Sequence, residues 1–377
     1  MTTISCSVGY HRGGLGQHFA QLVEDARALG QLRRYFSSWV KPGDEPLARA
    51  VRRPITDFLM HRTPVRYSQG WRWHFECDSW DRKVARLLEP PVDSFTAFAG
   101  QALHSFRAAR ALGCQRLELI ASNSHVENCV RQHAKALARN PGIESTWLND
   151  AHRRKTLAEY AAADTILVAS EYTRQLFAAH GVPAGKLSRV HYTVDPRFTP
   201  DPAARPDDGV FRIVYVGSVT VVKGVPVLLD ALARLKDIKC ELTLVGGTST
   251  RGMRKYIDHA VRTDPRIRLA PGDPLPHLRR ADLCVHPSWE DGLAYAPLEA
   301  LAAGVPVVVS HDTGMKEYVT EGANGHVLPT GSTDALVECL DHLARHRLPV
   351  GRSLLPPITP PTPGAELRAT PRIAVPV

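Results

Sequence analysis

Between Phe211 and Ala344 short β-rich runs alternate with stretches of helical period, and few folds accommodate that rhythm. Phe211-Arg212-Ile213-Val214-Tyr215-Val216-Gly217 is rich in β-branched and aromatic residues and ends on glycine, as a strand buried on both faces does. Gly224–Lys236 then carries Val227, Leu228, Ala231, Leu232 and Leu235 at helical spacing. Further strands are predicted at Glu241–Gly246, Arg266–Leu269, Leu283–His286, Val305–Val309 and Gly325–Leu328. Between and after them, helices are predicted at Leu275–Arg280, Pro297–Ala303, Gly314–Val319 and Thr333–Ala344. Repeated strand–helix–strand units mean crossover connections and a doubly wound parallel sheet. Such sheets bind ligands beyond the carboxyl ends of their strands.

The chain, at 377 residues, exceeds what one hydrophobic core normally serves, so two domains are expected. In the first half Leu15–Leu29 reads as a helix, and Leu117–Ala121 and Thr165–Ala169 as strands. Residues 40–90, with many Trp and Arg, follow no single period and are assigned no element. The Pro- and Asp-rich run from Thr199 to Gly209 has the composition of a linker. The expected division is therefore a first domain over 1–200 and a second over 201–348. A Pro-rich tail, expected to be poorly ordered, follows over 349–377.

Charge is distributed unevenly. Residues 1–200 hold 27 Lys and Arg against 18 Asp and Glu, whereas residues 201–377 are balanced at 20 against 20. The first half is thus the one expected to meet an acidic partner: a phospholipid headgroup, a polyprenyl phosphate or an anionic polysaccharide. No recognition motif for nucleic acid accompanies the charge. The seven cysteines form no Cys-x-x-Cys pair, so free thiols are expected rather than a disulfide framework or zinc site. No apolar run approaches the roughly 20 residues of a spanning helix, and the first residues lack the features of a secretory signal. The expected location is the cytosol, with peripheral contact to the cytoplasmic face of an anionic membrane through the basic half.

Three ordered segments carry the chemistry. They are Val216-Gly217-Ser218…Lys223-Gly224, then Pro287-Ser288-Trp289-Glu290-Asp291-Gly292, then Leu298-Glu299-Ala300-Leu301-Ala302-Ala303-Gly304-Val305-Pro306. Together they resemble the retaining GT-B glycosyltransferases of the glycosyl-transferases-group-1 superfamily (glycosyltransferase family four, kin of glycogen and sucrose synthases). The resemblance is strong over 160–345 and loose over the first 150 residues. It implies two Rossmann-like doubly wound domains facing across a cleft, the first (1–200) binding a glycan or polyprenyl- or lipid-linked acceptor and the second (201–348) a nucleotide-sugar donor, with no metal or other cofactor.

The resemblance also distributes roles. Lys223 matches the lysine that binds the donor phosphate, where a cation stabilises charge on the departing group. Ser218 stands where the family usually has arginine. Asp291 and Glu299 fall on the family's acidic pair, with Gly292 after the first acid. Asp291 is implied to hold hydroxyls of the transferred sugar, and Glu299 the ribose hydroxyls. Because Asp is one methylene shorter than the usual Glu, Glu290 is an alternative at the first position. Gly292-Leu293-Ala294 replaces Gly-Phe-Gly, and its amides are expected near sugar and phosphate. Gly13, Gly14 and Gly16 open the first long helix, where close backbone approach and free amides favour an anion. His125, following the strand Leu117–Ile120, is the expected hydrogen-bonding group to sugar or phosphate in the first domain. The competing expectations are a catalytically weak or inactive sugar-nucleotide-binding homologue and a GT-B sugar-nucleotide epimerase. Ser218, Asp291 and the Pro-rich end motivate the former.

Overall fold

The computed structural model describes residues 1–11 and 13–356. Its strands fall into two all-parallel sheets. The first contains β1 (Thr2–Ser5), β2 (Leu32–Ser37), β3 (Ala48–Ala50), β4 (Ser94–Phe98), β5 (Arg116–Ala121), β6 (Thr165–Val168) and β7 (Leu187–Arg189), in the order 3-2-1-4-5-6-7. The second contains β8 (Phe211–Val216), β9 (Cys240–Val245), β10 (Ile267–Leu269), β11 (Leu283–His286), β12 (Val307–Ser310) and β13 (Gly325–Leu328), in the order 10-9-8-11-12-13. Each order reverses once, between β1 and β4 and between β8 and β11, and a ligand crevice opens at the carboxyl ends of such neighbours. This is the GT-B architecture.

Strand side chains alternate between two buried layers. Phe95, Leu119 and Ile166 enter one core of the first domain, while Phe98, Ile120 and Leu167 enter the other. In the second domain Ile213, Tyr215 and Leu244 face one side, with Val214, Val216 and Val245 on the other. Helices covering both faces explain why these strands read as continuous apolar runs.

Several elements differ from the sequence expectation. A helix at Arg251–Thr263, not anticipated, links β9 to β10, and Gly314–Tyr318 is a 3₁₀ turn. Residues 40–90 form β3 and two helices, Pro54–Arg62 and Gln69–Leu87. The second is hard to read because its buried positions include a carboxylate, Asp81, beside Trp80 and Val84. Asp81 is held by Lys155 and by the backbone amides of His104 and Ser105, both at 2.8 Å. Of the Pro-rich tail, 357–377 lies outside the described residues. Its first part, 349–356, is hydrogen-bonded rather than loose. Leu354 N donates to Leu301 O at 2.8 Å, and Leu354 and Leu355 pack on the second domain's core. Two apolar side chains suffice to dock a stretch whose prolines alone suggested none.

Candidate active site

The crevice of the second sheet is built by two loops that touch. Gly224 has φ +74°, and a Cβ there would lie 1.9 Å from the carbonyl oxygen of Pro287. Only glycine lets the loop after β8 come this close to the loop after β11. That approach delivers Lys223 to Asp291, with Nζ 2.5 Å from Oδ2. His286, the last residue of β11, brings Nε2 to 3.3 Å from the same oxygen and lies parallel to the Tyr215 ring. Burial disfavours the Asp291 charge, but the Lys223 ammonium and the His286 hydrogen bond outweigh it and hold the carboxyl well below its usual range. Burial likewise opposes the Lys223 charge, and Asp291 reverses the effect, leaving the ammonium pKa raised. Both groups are therefore ionised at neutral pH. Ser218 is exposed at the rim, its carbonyl accepting from the Tyr215 hydroxyl at 2.6 Å.

Glu290 departs from expectation. It is 1% exposed and hydrogen-bonded to the first domain. Its Oε1 accepts from the Ser124 amide at 2.7 Å, and its Oε2 from Asn123 Nδ2 at 3.1 Å. With both oxygens so engaged, Glu290 joins the domains, and Asp291 is the acid of the two that meets Lys223. Gly292 belongs to the same seam. A Cβ there would sit 2.2 Å from Ser122 O, and its carbonyl accepts from Ser170 Oγ at 2.8 Å. Leu293 is buried, and Ala294 precedes the helix Tyr295–Ala302, which has no side-chain cap.

That helix carries Glu299, 4% exposed. Burial raises its carboxyl pKa to about 7, a rise moderated by the hydrogen bond Gln17 Nε2 donates at 3.2 Å. Gln17 comes from the helix Gly13–Ala28 of the first domain. The glycine-rich turn faces the same place: a Cβ on Gly14 would lie 3.9 Å from the Tyr295 ring, and Gly13 at φ +63° borders open space. Gly16 is buried and accepts from His11 N at 3.2 Å. Tyr192 stacks on Tyr295 at 4.5 Å between centroids, and the His18 ring lies 4.4 Å from Tyr192. Lys223 thus meets Asp291 just beyond β11, and Glu299 meets the helix that the Gly13–Gly16 turn opens.

His125 contacts other groups. Its imidazole caps the helix Val126–Arg139, accepting from Glu127 N at 3.3 Å, and stacks on His180 at 4.2 Å beside Tyr160 and Phe177. Burial and the neighbouring His180 lower its pKa to about 4, which favours the neutral imidazole at pH 7. A turn that begins a helix directs its first side chain back over the helix end, and position along the chain did not reveal that. The sequence reading also missed Gln17, His286, Tyr192 and Tyr295. Gln17 could have been suspected, since it follows the glycines by one residue. Among the described residues, no group of three or more His, Cys, Asp or Glu could hold a metal ion, and all seven cysteines are free.

Residues 210–346 match the family model described as Glycosyl transferases group 1. This segment is similar to group 1 glycosyltransferase domains. Among similar proteins, the D-inositol 3-phosphate glycosyltransferase of Pseudarthrobacter chlorophenolicus is 30% identical over 215 residues, 51% of this chain and 51% of its own length. The GDP-mannose-dependent alpha-(1-6)-phosphatidylinositol monomannoside mannosyltransferase of Mycobacterium tuberculosis is 29% identical over 232 residues, 56% of this chain and 60% of its own. The chain spans about half the length of the relatives it matches. Among solved structures, sucrose-phosphate synthase from Thermosynechococcus elongatus superposes with a TM-score of 0.68 at 20% identity, covering 91% of this chain and 89% of that one. WaaG, a glycosyltransferase involved in lipopolysaccharide biosynthesis, gives 0.65 at 17% identity, covering 92% and 90%. These likenesses extend the GT-B fold beyond the matched segment to both halves of the chain.

Proposed function

We propose that this chain is a retaining, metal-independent glycosyltransferase that moves a hexosyl group from a nucleotide-sugar donor to a glycan or lipid-linked acceptor. The observation carrying this reading is the Lys223–Asp291–His286 cluster and the buried Glu299 carboxyl, which meets the helix that the glycine-rich turn opens. A donor laid across both meets Lys223 with its diphosphate and Glu299 with its ribose. In the reaction the bond between the anomeric carbon and the diphosphate oxygen breaks. The acceptor oxygen bonds to that carbon on the same face, and its proton passes to the departing diphosphate.

The residues have distinct tasks in this reading. Lys223 exchanges part of its pairing with Asp291 for the diphosphate and stabilises charge that grows as the bond breaks. Asp291, ionised and steadied by His286, accepts from sugar hydroxyls through strong charge-assisted bonds. Amides near Leu293 and Ala294, and of Gly13 and Gly14, add donors around the phosphates. The names of the relatives mention inositol phosphate and phosphatidylinositol mannoside, which supports an anionic acceptor for the basic first half.

A thermal-shift panel of UDP-, GDP- and ADP-sugars, followed by product analysis with the stabilising donor, tests the proposal. Stabilisation lost in Lys223→Ala and Glu299→Ala, with sugar transfer or slow donor hydrolysis in the parent, is expected. Binding without turnover of any donor selects an inactive homologue instead, and a product still bearing its nucleotide selects an epimerase.

A further inference from the structure

Five of the nine large hydrophobic side chains exposed among the described residues fall within eighteen positions: Phe58, Leu59, Tyr67, Trp71 and Phe75. They are 43–74% exposed, values that decide the matter because apolar surface on this scale is normally scattered. They sit on the helices Pro54–Arg62 and Gln69–Leu87 and the 3₁₀ turn Pro64–Tyr67 between them. Trp71 and Phe75, four residues apart and so on one helix face, stack at 5.6 Å.

Charge on the part of this hairpin that carries the five side chains is one-sided. Residues 52–75 contain five arginines and a single acid, Asp57. Arg53 is drawn inward against Trp80, whereas Arg52 and Arg62 are exposed. Aromatic side chains interspersed with arginine suit the boundary between lipid headgroups and acyl chains, where rings sink in and guanidinium groups meet phosphates. A protein partner of acidic surface would account for the arginines but would leave so dispersed a set of rings without a pocket.

Placement strengthens the case. The hairpin leaves the sheet at the carboxyl end of β3, the end at which the first domain's crevice opens. Its second helix reaches the crevice wall. The His74 ring, between Trp71 and Phe75, lies 6.1 Å from that of His152, and His152 covers Gly100, just past the carboxyl end of β4. The geometry points to an anionic lipid surface as the partner of this face, docked by Phe58, Leu59, Tyr67, Trp71 and Phe75 and by the exposed arginines, beside the acceptor side of the cleft. It is independent of the transferase reading, because lipid binding requires no donor.

The test is sedimentation of the full chain with phosphatidylcholine vesicles containing or lacking phosphatidylglycerol. Binding to the anionic vesicles alone is expected, weakening as salt rises. Trp71→Ala with Phe75→Ala should release the chain from vesicles, and each of Arg52→Gln and Arg62→Gln should weaken binding by roughly fivefold. These side chains are exposed, so an unchanged thermal midpoint and unchanged donor binding verify that the variants are folded. Absence of sedimentation, equal binding to neutral vesicles, or binding indifferent to all four substitutions overturns the proposal. Lipid-free self-association that Trp71→Ala and Phe75→Ala abolish also overturns it, by making the face a contact between copies.

Discussion

Replacing Glu299 by glutamine should stabilise the unliganded protein while weakening its hold on the donor. In the folded chain this carboxyl titrates at about 7 against an ordinary 4.5, because burial opposes its charge more than Gln17 supports it. A group raised in this way favours folding while protonated in both states, below 4.5. That advantage is lost progressively as pH rises through 7. The difference corresponds to about 3 kcal/mol at pH 8. Glutamine fills the same volume, can still accept from Gln17, and never ionises. Urea unfolding of parent and Glu299→Gln at pH 5 and pH 8 isolates this residue, since the other titrations largely cancel between the two proteins. Glu299→Gln should gain up to about 3 kcal/mol over the parent on going from pH 5 to pH 8. Donor binding should run oppositely, tightening in the parent as pH rises through 7, and weakening about tenfold or more in the variant as a charged acceptor becomes neutral. Identical pH dependence of stability in the two proteins would refute the reasoning.

Other substitutions probe the remaining walls of the site. Gly224→Ala must hold a side chain in left-handed backbone and 1.9 Å from Pro287 O; a loss of at least about 1–2 kcal/mol is expected by urea unfolding, with donor affinity falling too. His125→Asn, which keeps a helix-capping acceptor, should leave donor affinity in calorimetry within about twofold of the parent, because its ring lies among Tyr160, Phe177 and His180. Glu290→Ala leaves the Ser124 amide and the Asn123 side chain without their carboxylate, at about 1–3 kcal/mol each if they stay buried. Small-angle scattering should then show a larger radius of gyration than in the parent as the domains part.

Much of the second domain could be read from the chain, and the reason is physical. Strands buried on both faces are apolar throughout, so Phe211–Val216 and Leu283–His286 stand out against the helices between them. The first domain was less legible where burial and polarity disagree. The helix Gln69–Leu87 buries Asp81 and exposes Trp71 and Phe75, which inverts the usual pattern. At the cleft, motif spacing singled out Lys223, Asp291 and Glu299, but not which groups face them. His286 meets Asp291 because β11 ends there, and Gln17 meets Glu299, 282 residues away in sequence, only through the arrangement of the two domains. Glu290 and His125 are the counterexamples: each neighbours the cleft in sequence, and each side chain turns elsewhere to join or cap other elements.

The central claim is that Lys223 and Glu299 hold opposite ends of one donor. Calorimetric titration with a nucleoside and with its diphosphate, on the parent, Lys223→Ala and Glu299→Ala, measures this most directly. Lys223→Ala should weaken the diphosphate while sparing the nucleoside, and Glu299→Ala should weaken both. Affinities for both ligands that survive both substitutions unchanged would contradict it.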